Sequence, residues 1–342
     1  MSVAPTTYCP ECGVMEVDGQ ATMAHRDSCP HRFKGARVET ETVPGFDAGI
    51  EVGGTAHATQ PGTDVSTYVD KAMYGAAPMA SQMPKVHLVS MTPDPLGAIA
   101  AACRMYEGKP TYDLDDINDD ERRQAWQQVQ ETHLKAPLEF VDLHFFIEGV
   151  TRAFTHQMVR QRTAVYAQES LRFAVKEEIA ARPGPMIMQD RRKREIWEEA
   201  MQLAHERYLS LIANGVPAEE ARGLLPHDTL TRLNYKTNLR NLLEHAGNRL
   251  CTQAQFEWRL VFIGIVGAIH DYAGYGTQWN KWQFEHIADS NVFKPVCFSL
   301  GHCPFNASFD RGCTIRPRVE DGKFDEIKPE EYMADPTAGW VR

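Results

Sequence analysis

Arg160-Gln161-Arg162-Thr163-Ala164-Val165-Tyr166-Ala167-Gln168-Glu169-Ser170-Leu171-Arg172-Phe173 sets three arginines, two glutamines, a glutamate and a serine within fourteen residues. Just ahead of it, Val141-Asp142-Leu143-His144-Phe145-Phe146-Ile147 alternates apolar and mixed residues as a half-buried strand does. A core element feeding a segment so dense in fork-shaped donors suits an anion site. Guanidinium groups grip phosphate through paired hydrogen bonds, and carboxamides read the edges of planar heterocycles. The plain alternative is a solvated charged face. Spacing separates the two readings: the stretch runs Arg-x-Arg, seven residues, Ser, then Arg two further on and an aromatic.

Around this stretch the chain reads mostly as helix. Lys85–Ser90 is a short strand, and Pro95–Tyr106 a helix with Asp94 as its N-cap. Acidic Asp113–Glu121 leads into a helix over Glu121–His133, and another near 151–159 delivers the arginine-rich segment. Arg191–Ala213 is a long amphipathic helix whose stripe of Ile196, Ala200, Leu203, Ala204 and Leu211 is expected to face the core or another subunit. Gly215 stands where a C-cap glycine belongs. Pro217–Leu225 opens the next helix with proline where a missing N–H costs least. Thr252–Tyr272 is the last long helix.

The whole chain sets the bounds. Its 342 residues suffice for one large domain or two smaller ones. A net charge of −10 argues against general nucleic-acid binding, yet leaves room for one local basic nucleotide site. The longest apolar run, Leu260–Ile269, is too short for a bilayer, and no basic-then-apolar leader opens the chain, so a cytoplasmic protein is expected. Its eight cysteines are then thiols or metal ligands rather than disulfides.

Cys9-x2-Cys12, twelve residues, then His25-x3-Cys29 has zinc-finger spacing, with Pro10 and Gly13 suiting a tight knuckle. Cys9, Cys12, His25 and Cys29 are the expected zinc ligands, and His31 competes for the fourth place. Residues 1–33 thus read as a small C2HC module whose partner the sequence leaves open, nucleic acid or protein or none. Residues 34–84, rich in Gly, Ala, Thr and Pro without apolar periodicity, read as a linker. The tail from 291 to 342 carries Cys297-x5-Cys303-x9-Cys313 with His302 alongside; a second zinc site and free thiols are both open there.

The motif resembles the signature of the flavin-dependent thymidylate synthases (ThyX), Arg-His-Arg-x7-Ser, with Gln161 in the place of the histidine. The resemblance extends over about residues 85–275. Ala136-Pro137-Leu138-Glu139 is similar to the family's segment before the central strand. Gly215-Val216-Pro217, Ala221-Arg222 and Leu225-Pro226 resemble its helix-to-loop passage. Asn238-Leu239-Arg240 and Arg249 through Gln255-Phe256-Glu257 follow in the family's order. The resemblance implies an α+β catalytic domain over 85–290, long helices around a small sheet, assembled as a homotetramer. It implies reductive methylation of dUMP to dTMP, with methylenetetrahydrofolate as carbon donor, FAD as hydride carrier and NADPH as the reductant.

By the same resemblance Arg249 is the catalytic residue, stabilising charge on the pyrimidine. Gln157, Arg160, Gln168, Ser170, Leu171, Arg172, Arg222 and Arg249 match substrate positions. Arg160, Gln161, Arg162, Asn238, Arg240 and Glu244 match flavin positions. Taken alone, Arg249 would read as a helix-end surface residue and Ser170 as a cap. Departures from the family cluster at the readout groups: Gln161 for His, Ala167-Gln168 for Asn-Glu, Phe173 for Tyr, and Glu244 for Asn. Swapping carboxylate for carboxamide is the kind of change that retunes recognition of uracil toward cytosine. A C5 methyl- or hydroxymethyltransferase acting on dCMP is therefore an alternative. A non-catalytic, nucleic-acid- or protein-binding homologue is a further one.

Overall fold

The computed structural model describes residues 83–272, 281–289, 292–305 and 313–333, together with the backbone of four short strands nearer the N-terminus. The chain divides into two compact units, Met1–His57 and Ala58–Arg342. The first holds an antiparallel sheet of β1 (Thr7–Tyr8), β2 (Met15–Val17) and β3 (Gln20–Ala21), in that order. Cys9, Cys12, His25 and Cys29 lie outside the described residues.

The second unit is built on a five-stranded antiparallel sheet of order β4-β5-β6-β8-β7. Its strands are β4 (Thr63–Asp64), β5 (Lys85–Met91), β6 (Asp142–Thr151), β7 (Val165–Gln168) and β8 (Leu230–Asn238). Thr63 and Asp64 fall in the stretch expected as linker, and there they pair with β5 at the sheet edge. On β6, Leu143, Phe145 and Ile147 are buried while their neighbours face outward. Leu233, Tyr235 and Thr237 do the same on β8, the period-two pattern of a sheet covered on one face.

Strand β6 runs to Thr151, past the end expected from alternation. Gly149 explains the difference. It takes φ +69 where the β6–β8 register shifts between Glu148 and Val150. A Cβ there would also meet the Met83 carbonyl oxygen at 2.8 Å. The bulge breaks the alternation, and the strand resumes beyond it.

Helices cover the buried face. Helix α1 (Pro95–Tyr106) is capped by Asp94, whose carboxylate accepts from the Gly97 N–H at 2.9 Å. The same carboxylate pairs with buried Arg122 at 2.6 Å, tying α1 to α2 (Asp119–Glu131). Helix α2 starts earlier than expected because Asn118 and Glu121 form a reciprocal capping box. Then follow α3 (Arg152–Met158), α4 (Pro185–Met188), α5 (Arg191–Ala213), α6 (Ala218–Ala221) and α7 (Leu239–Arg249). Helix α8 (Phe256–His270) is buried on nearly every side and packs against β5. It begins at Phe256 rather than Thr252, because a turn separates it from α7.

The α5 stripe needs correction as core. Ile196, Ala200 and Leu203 are exposed, while α5 buries Met201 and Tyr208. Met201 joins a satellite cluster with Ile179 and Ala181. After α9 (Lys281–Ile287) come α10 (Val296–Leu300), α11 (Arg316–Glu320) and α12 (Pro329–Met333). Among the described tail residues, Phe293, Ile315, Val319, Ile327 and Tyr332 belong to the same core as the sheet. Among the described residues no helix is long and apolar enough to cross a membrane.

Candidate functional site

A cavity of about 380 Å³ opens where α3, β7 and the passage from α6 to β8 meet. Its walls include Arg152, Thr155 and His156 of α3, Gln168 of β7, Leu171, Arg222 and His227. Arg152 and His156, four apart, share one helix face. Burial, and then the positive charge of Arg222, push the Arg152 guanidinium down from its usual range; Glu169 offsets this only in part. Two like charges turned toward one cavity form an arrangement that an anion completes.

The motif's polar groups divide between this cavity and its supports. The Gln168 amide donates to the Thr155 hydroxyl at 2.8 Å, which fixes the side chain across the cavity wall. Glu169 turns elsewhere, pairing with Lys176 at 2.9 Å and Arg232 at 3.6 Å. The Ser170 hydroxyl accepts from the Arg172 N–H at 3.3 Å, while the Arg172 guanidinium pairs with Glu219 at 2.9 Å. Arg222 donates to the Glu219 carbonyl at 3.0 Å. Leu171 is buried, and Arg160 and Arg162 are exposed.

Arg249, in the last turn of α7, has a different setting. Its Nε–H donates to His245 Nε2 at 3.2 Å, and its guanidinium lies 4.9 Å from the centre of the Trp258 ring. A network runs outward from there. Trp258 Nε1–H donates to Gln157 at 3.2 Å, Gln157 donates to Gln255 at 2.7 Å, and Gln255 donates to Glu257 at 3.3 Å. Buried Glu257 accepts from the Thr151 N–H at 2.7 Å and its hydroxyl at 2.6 Å, and pairs with buried Arg182. The Arg-x5-Gln-Phe-Glu spacing thus gathers one guanidinium and the polar scaffold that places it.

Gln161, Tyr166 and Tyr235 form a second cluster. The two tyrosine rings stack at 5.5 Å, and both hydroxyls donate to Gln161, Tyr235 to its Oε1 at 3.2 Å and Tyr166 to its backbone carbonyl at 3.2 Å. The Gln161 amide in turn donates to the Asn241 carbonyl at 3.3 Å. Burial pushes the Tyr166 hydroxyl up, and the nearby charge of Arg249 opposes the rise. Asn238 caps α7, accepting from the Asn241 N–H at 2.9 Å. Arg240 pairs with Glu139 at 2.6 Å and Glu244 at 3.0 Å. Arg240, Glu244, Lys135 and Lys294 stand around a second cavity of about 550 Å³.

Arg152, Thr155, His156, His227, His245 and Trp258 are not among the residues expected from the sequence. For three of them a signal existed. Arg152 and His156 lie four apart on the helix feeding the motif, and His245 lies four before Arg249. Trp258 stands between Glu257 and Arg259, outside the apolar run, and carries no signal of its own.

His245 yields a pH prediction. Burial, and then the charge of Arg249, push its imidazole from 6.5 down to about 3. Its Nδ1 is buried without a hydrogen-bond partner among the described residues, and its neutral Nε2 receives the Arg249 proton donor. The unfolded chain takes up a proton below about 6.5; the folded chain refuses it until about 3. This group's stabilising contribution is therefore complete above pH 6.5 and is lost as pH falls toward 3. Urea unfolding midpoints of wild type should fall more steeply between those pH values than those of His245→Gln, which keeps an acceptor but cannot titrate. Parallel slopes would contradict the assignment.

Over residues 87–272 the chain matches the family model described as Thymidylate synthase complementing protein. It is 31% identical over 243 residues to the flavin-dependent thymidylate synthase of Pyrococcus abyssi, covering 69% of this chain and 96% of that one. To that of Pyrococcus furiosus it is 30% identical over 262 residues, covering 72% and 100%. To that of Geobacter sulfurreducens it is 31% identical over 194 residues, covering 55% and 83%.

Proposed function

The chain belongs to the family of thymidylate synthase complementing proteins, and from that premise we infer that it is a flavin-dependent thymidylate synthase, methylating dUMP to dTMP. The observation that supports this at the site is the pair of guanidinium groups, Arg152 and Arg222, turned toward one cavity with Gln168 and Leu171. That cavity would take the nucleotide with its phosphate against the arginines, Ser170 and Arg172 standing at its rim. Arg249 would meet the pyrimidine, its charge placed where electron density develops as C5 becomes nucleophilic. Gln157 acts through Trp258, holding the ring on which Arg249 rests.

FAD, when bound, supplies the hydride, with NADPH as its reductant and methylenetetrahydrofolate as the carbon source. The donor set fits such a group. Arg160 and Arg162 are exposed, and Arg240, Lys135 and Lys294 give the larger cavity a cationic rim suited to a pyrophosphate. Glu139 and Glu244 share Arg240 and would compete with an anion for it. Gln161 holds the Tyr166–Tyr235 stack in place, a task a neutral amide performs. Asn238, as a helix cap, would serve the cofactor side by fixing where α7 begins.

The exposed apolar residues Ile196, Leu203 and Phe173 support a homotetramer in which copies cover one another's sites. Zinc held by Cys9, Cys12, His25 and Cys29 is supported by spacing. A second reading, a cytosine nucleotide as substrate, is favoured by one observation: the Gln168 amide nitrogen is engaged with Thr155, which leaves its carbonyl oxygen as an acceptor for an amino group.

The test is product mass spectrometry with FAD, NADPH and methylenetetrahydrofolate, offering dUMP and dCMP in parallel. One methyl gained on dUMP alone is the expected result. Methyl or hydroxymethyl on dCMP would establish the second reading. A preparation that binds no flavin and makes no product would overturn both in favour of a binding protein.

A further inference from the structure

Five described cysteines carry free thiols. Four of them, Cys251, Cys297, Cys303 and Cys313, line one narrow cavity. They come from well-separated parts of the chain: the turn after α7, helix α10, the stretch after Gly301, and the stretch leading into α11. No step of thymidylate synthesis derived above uses them. The fifth, Cys103, is buried in α1, away from this group.

The thiols interact with one another. Burial pushes the Cys297 thiol up to about 12, and Cys251, Cys313 and Cys303 each push the same way. Cys251 is raised by burial and, more weakly, by Cys313 and Cys303. Every member of the set therefore lies within electrostatic reach of others. Burial and the neighbouring thiols oppose charge on these sulfurs, but donors and cations stand close to them. The Thr252 hydroxyl donates to Cys313 Sγ at 3.0 Å, and the Gln253 backbone N–H serves Cys251. Arg316 interacts with Cys303 and Cys313, and Arg318 with Cys313. Donors of this kind surround metal-bound thiolates and hold them in orientation.

The local backbone explains how two thiols six residues apart reach one cavity. Gly301 takes φ +71 and its N–H donates to the Cys297 carbonyl at 2.9 Å, ending α10 in a tight left-handed turn. The chain reverses there and brings Cys303 back beside Cys297. Cys251 joins them from the turn after α7, two residues beyond Arg249.

We propose that Cys251, Cys297, Cys303 and Cys313 form a tetrathiolate site for one zinc ion. Four convergent thiolates favour tetrahedral zinc or an iron–sulfur cluster. Zinc is the ion proposed, since four thiolates form the closed ligand set of a structural zinc site, and the iron–sulfur alternative is tested by the iron count below. The sulfurs face the cavity without closing on one point, since among the described residues no three Cys, His, Asp or Glu groups are placed to hold an ion as they stand. Binding must draw them inward by side-chain rotation and a small tightening of the tail, with loss of the thiol protons. The ion would then fasten the tail to the end of α7 that carries Arg249. This site is separate from the N-terminal set and does not rest on the thymidylate synthase reading.

The experiment uses full-length protein purified without chelators, with zinc counted by inductively coupled plasma mass spectrometry. Three forms are compared: wild type, Cys297→Ser with Cys303→Ser, and Cys9→Ser with Cys12→Ser. The tail double variant is expected to lose one zinc equivalent that the N-terminal double variant keeps. Cobalt loaded into the N-terminal double variant should give the intense sulfur-to-metal and ligand-field bands of four thiolates. Unchanged zinc in the tail variant overturns the proposal, as does iron in place of zinc. Should the tail variant fail to fold, the cobalt spectrum decides alone, and absence of thiolate bands overturns the site. Metal is counted without turnover, so an inactive protein that holds the ion keeps the site, and an active protein without it loses the site.

Discussion

Replacing Arg249 with lysine is expected to lower turnover by about 10²- to 10³-fold, the range seen when one charge-stabilising donor is removed from an active site. The reason lies in how the side chain is held. Its plane rests on Trp258, and its Nε–H is committed to His245. Burial presses its pKa down from the usual range, yet guanidinium is basic enough to stay charged. Lysine carries charge but neither the planar fork nor the stacking face, and its ammonium loses a proton more readily when buried. Steady-state kinetics with saturating dUMP should place most of the loss in kcat rather than KM, with the unfolding midpoint hardly moved. Activity within a few-fold of wild type would remove Arg249 from the chemistry.

Glu257→Ala is expected to cost about 3–5 kcal/mol of stability, the usual consequence of removing one partner of a buried ion pair. The carboxylate is surrounded by Arg182, the Thr151 N–H and hydroxyl, and the Gln255 amide. Deleting it leaves a buried guanidinium without its counter-charge and three donors without their acceptor. Glu257→Gln should fall between the two, since an amide can still accept from Thr151 but cannot balance Arg182. Urea unfolding measures both. The loss should also reach activity, because Gln255, Gln157 and Trp258 connect Glu257 to Arg249. A Glu257→Ala protein as stable as wild type would mean that Arg182 finds water or another partner.

Elements with strong local signals were legible before the structure. Pro95–Tyr106 and Arg191–Ala213 have the same ends in both, because Asp94 caps the first and Asp190 and Gly215 bound the second. What escaped depended on contacts between distant segments. The outward face of α5 could not be assigned from periodicity, since a stripe facing solvent in one chain and a stripe facing a core read alike. The bulge at Gly149 hid the second half of β6. Cys251 stands inside a motif, and nothing in its own stretch of sequence pairs it with Cys297, Cys303 or Cys313. The carboxamides of the motif were visible as departures, but their partners Thr155, Tyr166 and Tyr235 emerge only when β7 lies beside β8.

The pairing of β6 with β8 has a consequence for how this protein is made. Asp142 pairs with Asn238 and Thr151 with Leu230, so the longest ladder in the sheet joins strands at the two ends of a long excursion of chain. That excursion contains the whole arginine-rich motif and helices α3 to α6. Closing so large a loop costs entropy before any ladder hydrogen bond is returned, which places such topologies among the slower folders. The two arginines that line one cavity, Arg152 and Arg222, lie toward the two ends of the loop. Their meeting in one cavity therefore waits on closure of that loop.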